Sequence, residues 1–138
     1  MHDIFVSYSS KDRERARPLV SALEQQGFSI WWDPNLKAGE VFDSVIEDAL
    51  KNARCCLTLW SLHSVFSDWV RAEATKAKER GILLPVLLDE VPIPAPFNIL
   101  QAANFATWSG ALPFSELDRL IASIKGILNA APRENGVR

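Results

Sequence analysis

The chain switches repeatedly between short apolar runs and stripes of helical spacing, and that alternation constrains its fold more than any other feature. Ile4-Phe5-Val6 is β-prone and ends in Ser7-Tyr8-Ser9-Ser10. Ala16, Leu19, Val20 and Leu23 then recur at i, i+3, i+4 and i+7, which marks a helix. Pro18 within that stripe fits only a first turn, and Gly27 stops the helix. Phe28 to Trp32 reads as a second strand, broken by Asp33-Pro34-Asn35, with a loop running to Gly39. Phe42, Val45, Ile46, Ala49 and Leu50 stripe a second helix. Cys55 to Trp60 is apolar except for Thr58, as expected of a strand covered on both faces.

A third helix is expected over about Val65 to Arg80, capped by Ser64 or Ser67 and stopped by Gly81. Ile82 to Leu88 is the fourth strand, although Pro85 within it cannot donate to a ladder. Pro92, Pro94 and Pro96 make residues 89–103 an irregular connection. Asn104 to Trp108 is a weak fifth strand, and Leu117, Leu120, Ile121, Ile124 and Leu128 stripe a final helix. Strands alternating with helices require right-handed crossovers and a parallel sheet with helices on both faces. The fold class expected is therefore α/β, a flavodoxin-like five-stranded sheet of order 2-1-3-4-5. One domain over residues 1–130 accounts for the pattern. Residues 131–138 are polar and aperiodic, a tail or the start of a linker.

Lys and Arg number 15 and Asp and Glu 17, a net charge of −2, which gives no electrostatic case for a nucleic-acid or membrane-surface partner. No apolar run is long enough to span a membrane, and the N-terminus lacks the features of a signal peptide. Cys55 and Cys56 are adjacent in a strand, so they point to opposite faces and a mutual disulfide is not expected. With His2 and His63 far apart, no metal site is expected, and the reducing cytoplasm is the natural compartment.

In such sheets ligands bind beyond the carboxyl ends of the strands, at the switch point beside strand one. That rule selects Ser7 to Ser10, Asp33 to Gly39, and Ser61 to Glu73. The first offers hydroxyls and helix-start amides for sugar or phosphate oxygens, or simply a serine-rich cap. The second is a lid, a docking surface or a plain connector. In the third, Trp69 and Glu73 are four apart and share a helical side, while Val70, Ala74 and Ala77 carry the core stripe. An indole beside a carboxylate suits a flat cationic ligand or a cationic transition state. The bland alternative pairs Glu73 with Lys76 and leaves Trp69 as filler. Neither a Rossmann fingerprint nor a P-loop is present. Cys55 and Cys56 read as core, and His63 as a loop residue beside the third strand.

Three boxes carry a resemblance: D-I-F-V-S-Y-S-S-K-D at 3–12, W-D-P-N-L-K-A-G-E-V-F at 32–42, and W-S-L-H-S-V-F-S-D-W-V-R-A-E at 60–73. In order and spacing they resemble the Toll/interleukin-1 receptor (TIR) domain of bacterial type, over residues 3 to about 108 and on into the last helix. The second box is similar to the family's BB loop, with Ala38 where many members have proline. The third ends in W-x-x-x-E. The resemblance implies a flavodoxin-like fold and one of two functions. The first is cleavage of NAD⁺ at the nicotinamide–ribose bond, with Glu73 as the catalytic residue and NAD⁺ as substrate, with no separate cofactor. The second is a non-catalytic TIR–TIR interaction module, an adaptor or host mimic.

The substrate-contacting candidates are Ser7, Tyr8, Ser9, Trp32, Asp33, Lys37, Ser61 and Trp69. The resemblance also implies activity on self-assembly through the Asp33–Gly39 loop, a larger chain or sensor module as partner, and a role in bacterial defence or signalling. One carboxylate suffices for this chemistry. Ordinary glycosides need a second carboxyl group to protonate the departing oxygen, whereas nicotinamide leaves NAD⁺ as a neutral base. Glu73 stabilises the resulting ribosyl cation, holds the ribose hydroxyls, or attacks covalently. A phospho-receiver domain would need paired acids after strand one and an aspartate after strand three, where this chain has Ser7-Tyr8-Ser9 and Trp60-Ser61.

Overall fold

The computed structural model describes residues 2–32 and 42–130. Five parallel strands, β1 (Ile4–Ser7), β2 (Ile30–Trp31), β3 (Cys55–Trp60), β4 (Leu83–Leu87) and β5 (Ala103–Asn104), lie in the order β2-β1-β3-β4-β5. Four helices connect or follow them: α1 (Arg13–Gln25), α2 (Phe42–Asn52), α3 (Asp68–Glu79) and α4 (Ser115–Asn129). The α/β flavodoxin-like fold and its strand order are those the sequence predicts. Gly27 and Gly81 follow α1 and α3 with φ of 94° and 74°, the left-handed turn a side chain would resist. Among the described residues no helix is long and apolar enough to cross a membrane.

The strand period of two divides the core. Ile4 and Val6 of β1, with Cys55, Leu57 and Leu59 of β3, face α1 and α4 and pack on Leu19, Leu23, Leu120 and Ile124. Phe5, Cys56 and Trp60 face the other way, onto Ile46 and Leu50 of α2 and Val70, Ala74 and Ala77 of α3. Ser7 shares the parity of Phe5 and is turned toward α3. That single consequence of the pleat brings the first chemical group of the site into position. The Arg80 guanidinium ties α3 to α2 by donating to the carbonyls of Leu50 and Ala53 at 2.8 Å each.

Several local expectations change. Pro18 sits in the second turn of α1 rather than the first. The carbonyl it frees belongs to exposed Glu14, where water can satisfy it. The third helix begins at Asp68, capped by Ser67 accepting from the Val70 amide at 3.1 Å, because Ser64–Phe66 form a separate 3-10 turn. Pro85 does lie in β4, but β5 pairs only with Val86 and Leu87, so β4 has no outer partner strand beside the proline. Strand β2 is trimmed to two residues, and β5 is Ala103–Asn104 rather than 104–108, since Phe105 to Phe114 fold into an aromatic cluster.

Candidate active site

The centre of the site is Glu73. Three residues after Val70 and four before Ala77, it lies on the buried stripe of α3 and is only 7% exposed. The Ser7 hydroxyl, delivered by the pleat of β1, donates to Oε1 at 2.6 Å. The Trp69 side chain, one helical turn before Glu73, is also hydrogen-bonded to the carboxylate. Burial disfavours the charged form more than these two donors favour it, and the carboxyl is pushed up to about 7. The Lys76 charge acts more weakly in the opposite sense, and its ammonium pairs with Glu47 at 3.3 Å, not with Glu73.

Beside the carboxylate opens a cleft of about 600 Å³, within the usual range for small-molecule sites. Its walls come from four sequence-distant segments: Tyr8, Ser9, Ser10 and Arg13 after β1, Trp31 and Trp32 at the end of β2, Ile46 of α2, and the cap Ser67 with Trp69 and Glu73 of α3. The aromatic walls are braced by contacts between rings. Trp31 stacks on Phe5 at 5.0 Å with the rings 7° apart. Trp32 packs against Tyr8 at 5.9 Å and carries the Arg17 guanidinium over its ring at 5.4 Å. Trp69, 38% exposed, stands at the rim. The arrangement offers flat apolar surfaces, several hydroxyls and one negative charge at depth, which is what a planar cationic nucleoside requires.

Of the residues predicted from sequence, Tyr8, Ser9, Trp32, Trp69 and Glu73 line this cleft, and Ser7 lies beneath it against the carboxylate. Asp33 and Lys37 lie outside the described residues, as does the rest of the Asp33–Gly39 loop. Ser61 does not belong with the others. It is fully buried, donates to Asp12 Oδ2 at 2.5 Å, and accepts from the His63 and Ser64 amides at 3.1 and 3.0 Å. Its position after β3 is spent on closing a turn and anchoring the start of α1. Arg15 extends the same network, joining Asp12, Asp89 and the Leu88 carbonyl.

His63 is exposed and lies outside the cleft lining. Cys55 and Cys56 are fully buried on opposite faces, and burial raises both thiols, Cys55 to about 12, so neither is a nucleophile. Sequence reasoning overlooked Arg13 and Trp31. Consecutive strand residues point to opposite faces, yet Trp31 and Trp32 both line the cleft at the end of this short edge strand.

The sequence model described as TIR domain matches residues 4–121. A probable 2′ cyclic ADP-D-ribose synthase of Methanobrevibacter olleyae, TcpO, is 32% identical over 114 residues, covering 81% of this chain and 32% of that protein. The 2′ cyclic ADP-D-ribose synthase BtTIR of Bacteroides thetaiotaomicron is 29% identical over 92 residues, covering 62% of this chain and 32% of its own. The chain thus spans about a third of the length of both relatives. Among solved structures, the TIR domain of the Toll-related receptor TRR-2 from Hydra magnipapillata superposes with a TM-score of 0.76 at 17% identity, covering 94% of this chain and all of that one. Motif order, strand order and family match agree: the chain belongs to the TIR domain family.

Proposed function

We propose that this domain cleaves NAD⁺ at the nicotinamide–ribose bond, with Glu73 as the catalytic residue. The observation that carries the proposal is a carboxylate buried at the floor of a cleft, held by Ser7 and Trp69 and raised to about 7. An interaction module has no use for a buried charge that weakens the fold, whereas a site for an oxocarbenium-like ribose does. As the C–N bond breaks, the electron pair leaves with nicotinamide and positive charge develops on the ribose, opposite the carboxylate. Water then captures C1′ to give ADP-ribose and a proton, or a hydroxyl of the same molecule captures it to give a cyclic isomer and a proton. A carboxylate near pKa 7 is matched to take that proton in either case. The names of the two relatives favour the cyclic product.

The unit that acts is residues 1–130, in a reducing cytoplasm, where two free, buried cysteines are stable. It works as a self-assembled form in bacterial defence or signalling, alone or as the effector of a larger chain. Phe66, next to the cleft-lining Ser67, is 82% exposed, an apolar surface suited to contact with a neighbouring copy. The test is incubation of the concentrated protein with NAD⁺, with nicotinamide, ADP-ribose and cyclic isomers resolved by chromatography. Nicotinamide release that grows faster than linearly with protein concentration is the expected result. No release at any concentration would return the domain to the interaction-module reading.

A further inference from the structure

The cleft is charged at two places of opposite sign. Glu73 supplies the negative group from α3, and Arg13, the first residue of α1 on the other face of the sheet, also lines the cleft, as do Tyr8, Ser9 and Ser10. The two arginines that follow it on the helix point to other partners and do not line the cleft. Arg15 bridges Asp12 and Asp89, and Arg17 pairs with Glu14 and covers Trp32. Of the three, Arg13 alone is among the cleft residues. It also stands where the α1 dipole is positive, so guanidinium and helix terminus act in the same sense.

We propose that Arg13 binds the diphosphate of the substrate and so selects phosphorylated nucleosides over free nucleosides of the same base. The inference rests on the NAD⁺ reading of the site and deepens it. A ligand cationic at its pyridinium and anionic at its phosphates fits the cleft in one sense only, base toward Glu73 and phosphates toward α1. Fork-shaped donors suit phosphate oxygens, and lysine replaces the charge but not the paired geometry. Since Arg13 is exposed, its contribution is screened by salt.

The test compares wild type, Arg13→Gln and Arg13→Lys on NAD⁺ and on nicotinamide riboside, which contains the same scissile bond without phosphate. The expected result is a KM for NAD⁺ raised about tenfold or more in Arg13→Gln, with partial recovery in Arg13→Lys. Kinetics with the riboside stay as in wild type, and the salt dependence of KM for NAD⁺ is lost in Arg13→Gln. Equal changes on both substrates, or none on either, would overturn the assignment while leaving NAD⁺ cleavage standing. If wild type leaves NAD⁺ intact, the cleavage reading falls and calorimetry with ADP decides Arg13 separately. A Kd for ADP raised about tenfold in Arg13→Gln upholds the phosphate site, and an equal Kd, or no binding to wild type, removes it.

Discussion

Replacing Glu73 by glutamine keeps the shape of the side chain and removes its titration. The folded carboxyl is raised from 4.5 to about 7, so between those values the folded protein holds a proton that the unfolded chain has released. With the folded pKa raised, the stabilising contribution is complete below pH 4.5 and is lost as pH rises through about 7. At one pKa unit per 1.36 kcal/mol, ionisation costs the fold about 3 kcal/mol at alkaline pH, of which about 2.5 kcal/mol develops between pH 5 and 8.5. Glutamine does not titrate, and its altered hydrogen bonds with Ser7 and Trp69 add only an offset that pH does not change. The advantage of Glu73→Gln over wild type should therefore grow by about 2.5 kcal/mol across that range, roughly 10 °C in Tm for a domain of this size. Thermal and urea unfolding of both proteins at half-unit pH intervals measures it, and groups common to both cancel in the difference. Parallel stability curves from pH 5 to 8.5 would show that burial does not raise this carboxyl, and the electrostatic account of the site would fail with it.

Three other outcomes follow from the same geometry. The kcat/KM for NAD⁺ should rise about tenfold per unit below pH 7 and level off above it, because the ionised carboxylate is the active form. A flat profile from pH 5 to 8 would refute that role. In Ser7→Ala the 2.6 Å hydroxyl donor is gone, so the midpoint of that profile should move upward, and a downward shift would contradict the assignment. Asp12→Ala leaves Ser61 without its 2.5 Å acceptor and breaks one arm of the Arg15 bridge, and should cost about 2 kcal/mol in denaturant unfolding. A loss below about 0.5 kcal/mol would show that the network does not hold α1 to the sheet.

How much of this could be read in advance depended on whether a residue's partner was set by local period or by distant chain. The sheet order was legible because five apolar runs alternate with helical stripes, and the crossover rule then leaves few arrangements. Glu73 was legible from its place four residues after Trp69, in the W-x-x-x-E frame, but its depth was not, since the core stripe was drawn through Val70, Ala74 and Ala77 and the structure buries Glu73 with them. Ser61 was misread as a substrate contact because its acceptor, Asp12, lies 49 residues away and no local pattern announces it. Arg13 was passed over because an exposed arginine at a helix start looks like any solvated charge until the cleft is seen beside it. The later start of α3 has a similar origin: the run from Ser64 to Trp69 has helical composition, yet Ser67 ends a 3-10 turn and caps the helix that follows.

The most direct measurement of the central claim is nicotinamide release from NAD⁺ at pH 8, with wild type and Glu73→Gln at the same high protein concentration. The account predicts release by wild type and a loss of about 100-fold or more in the variant, while circular dichroism shows the variant folded. Equal release by both proteins would contradict the claim that this buried carboxylate carries the reaction.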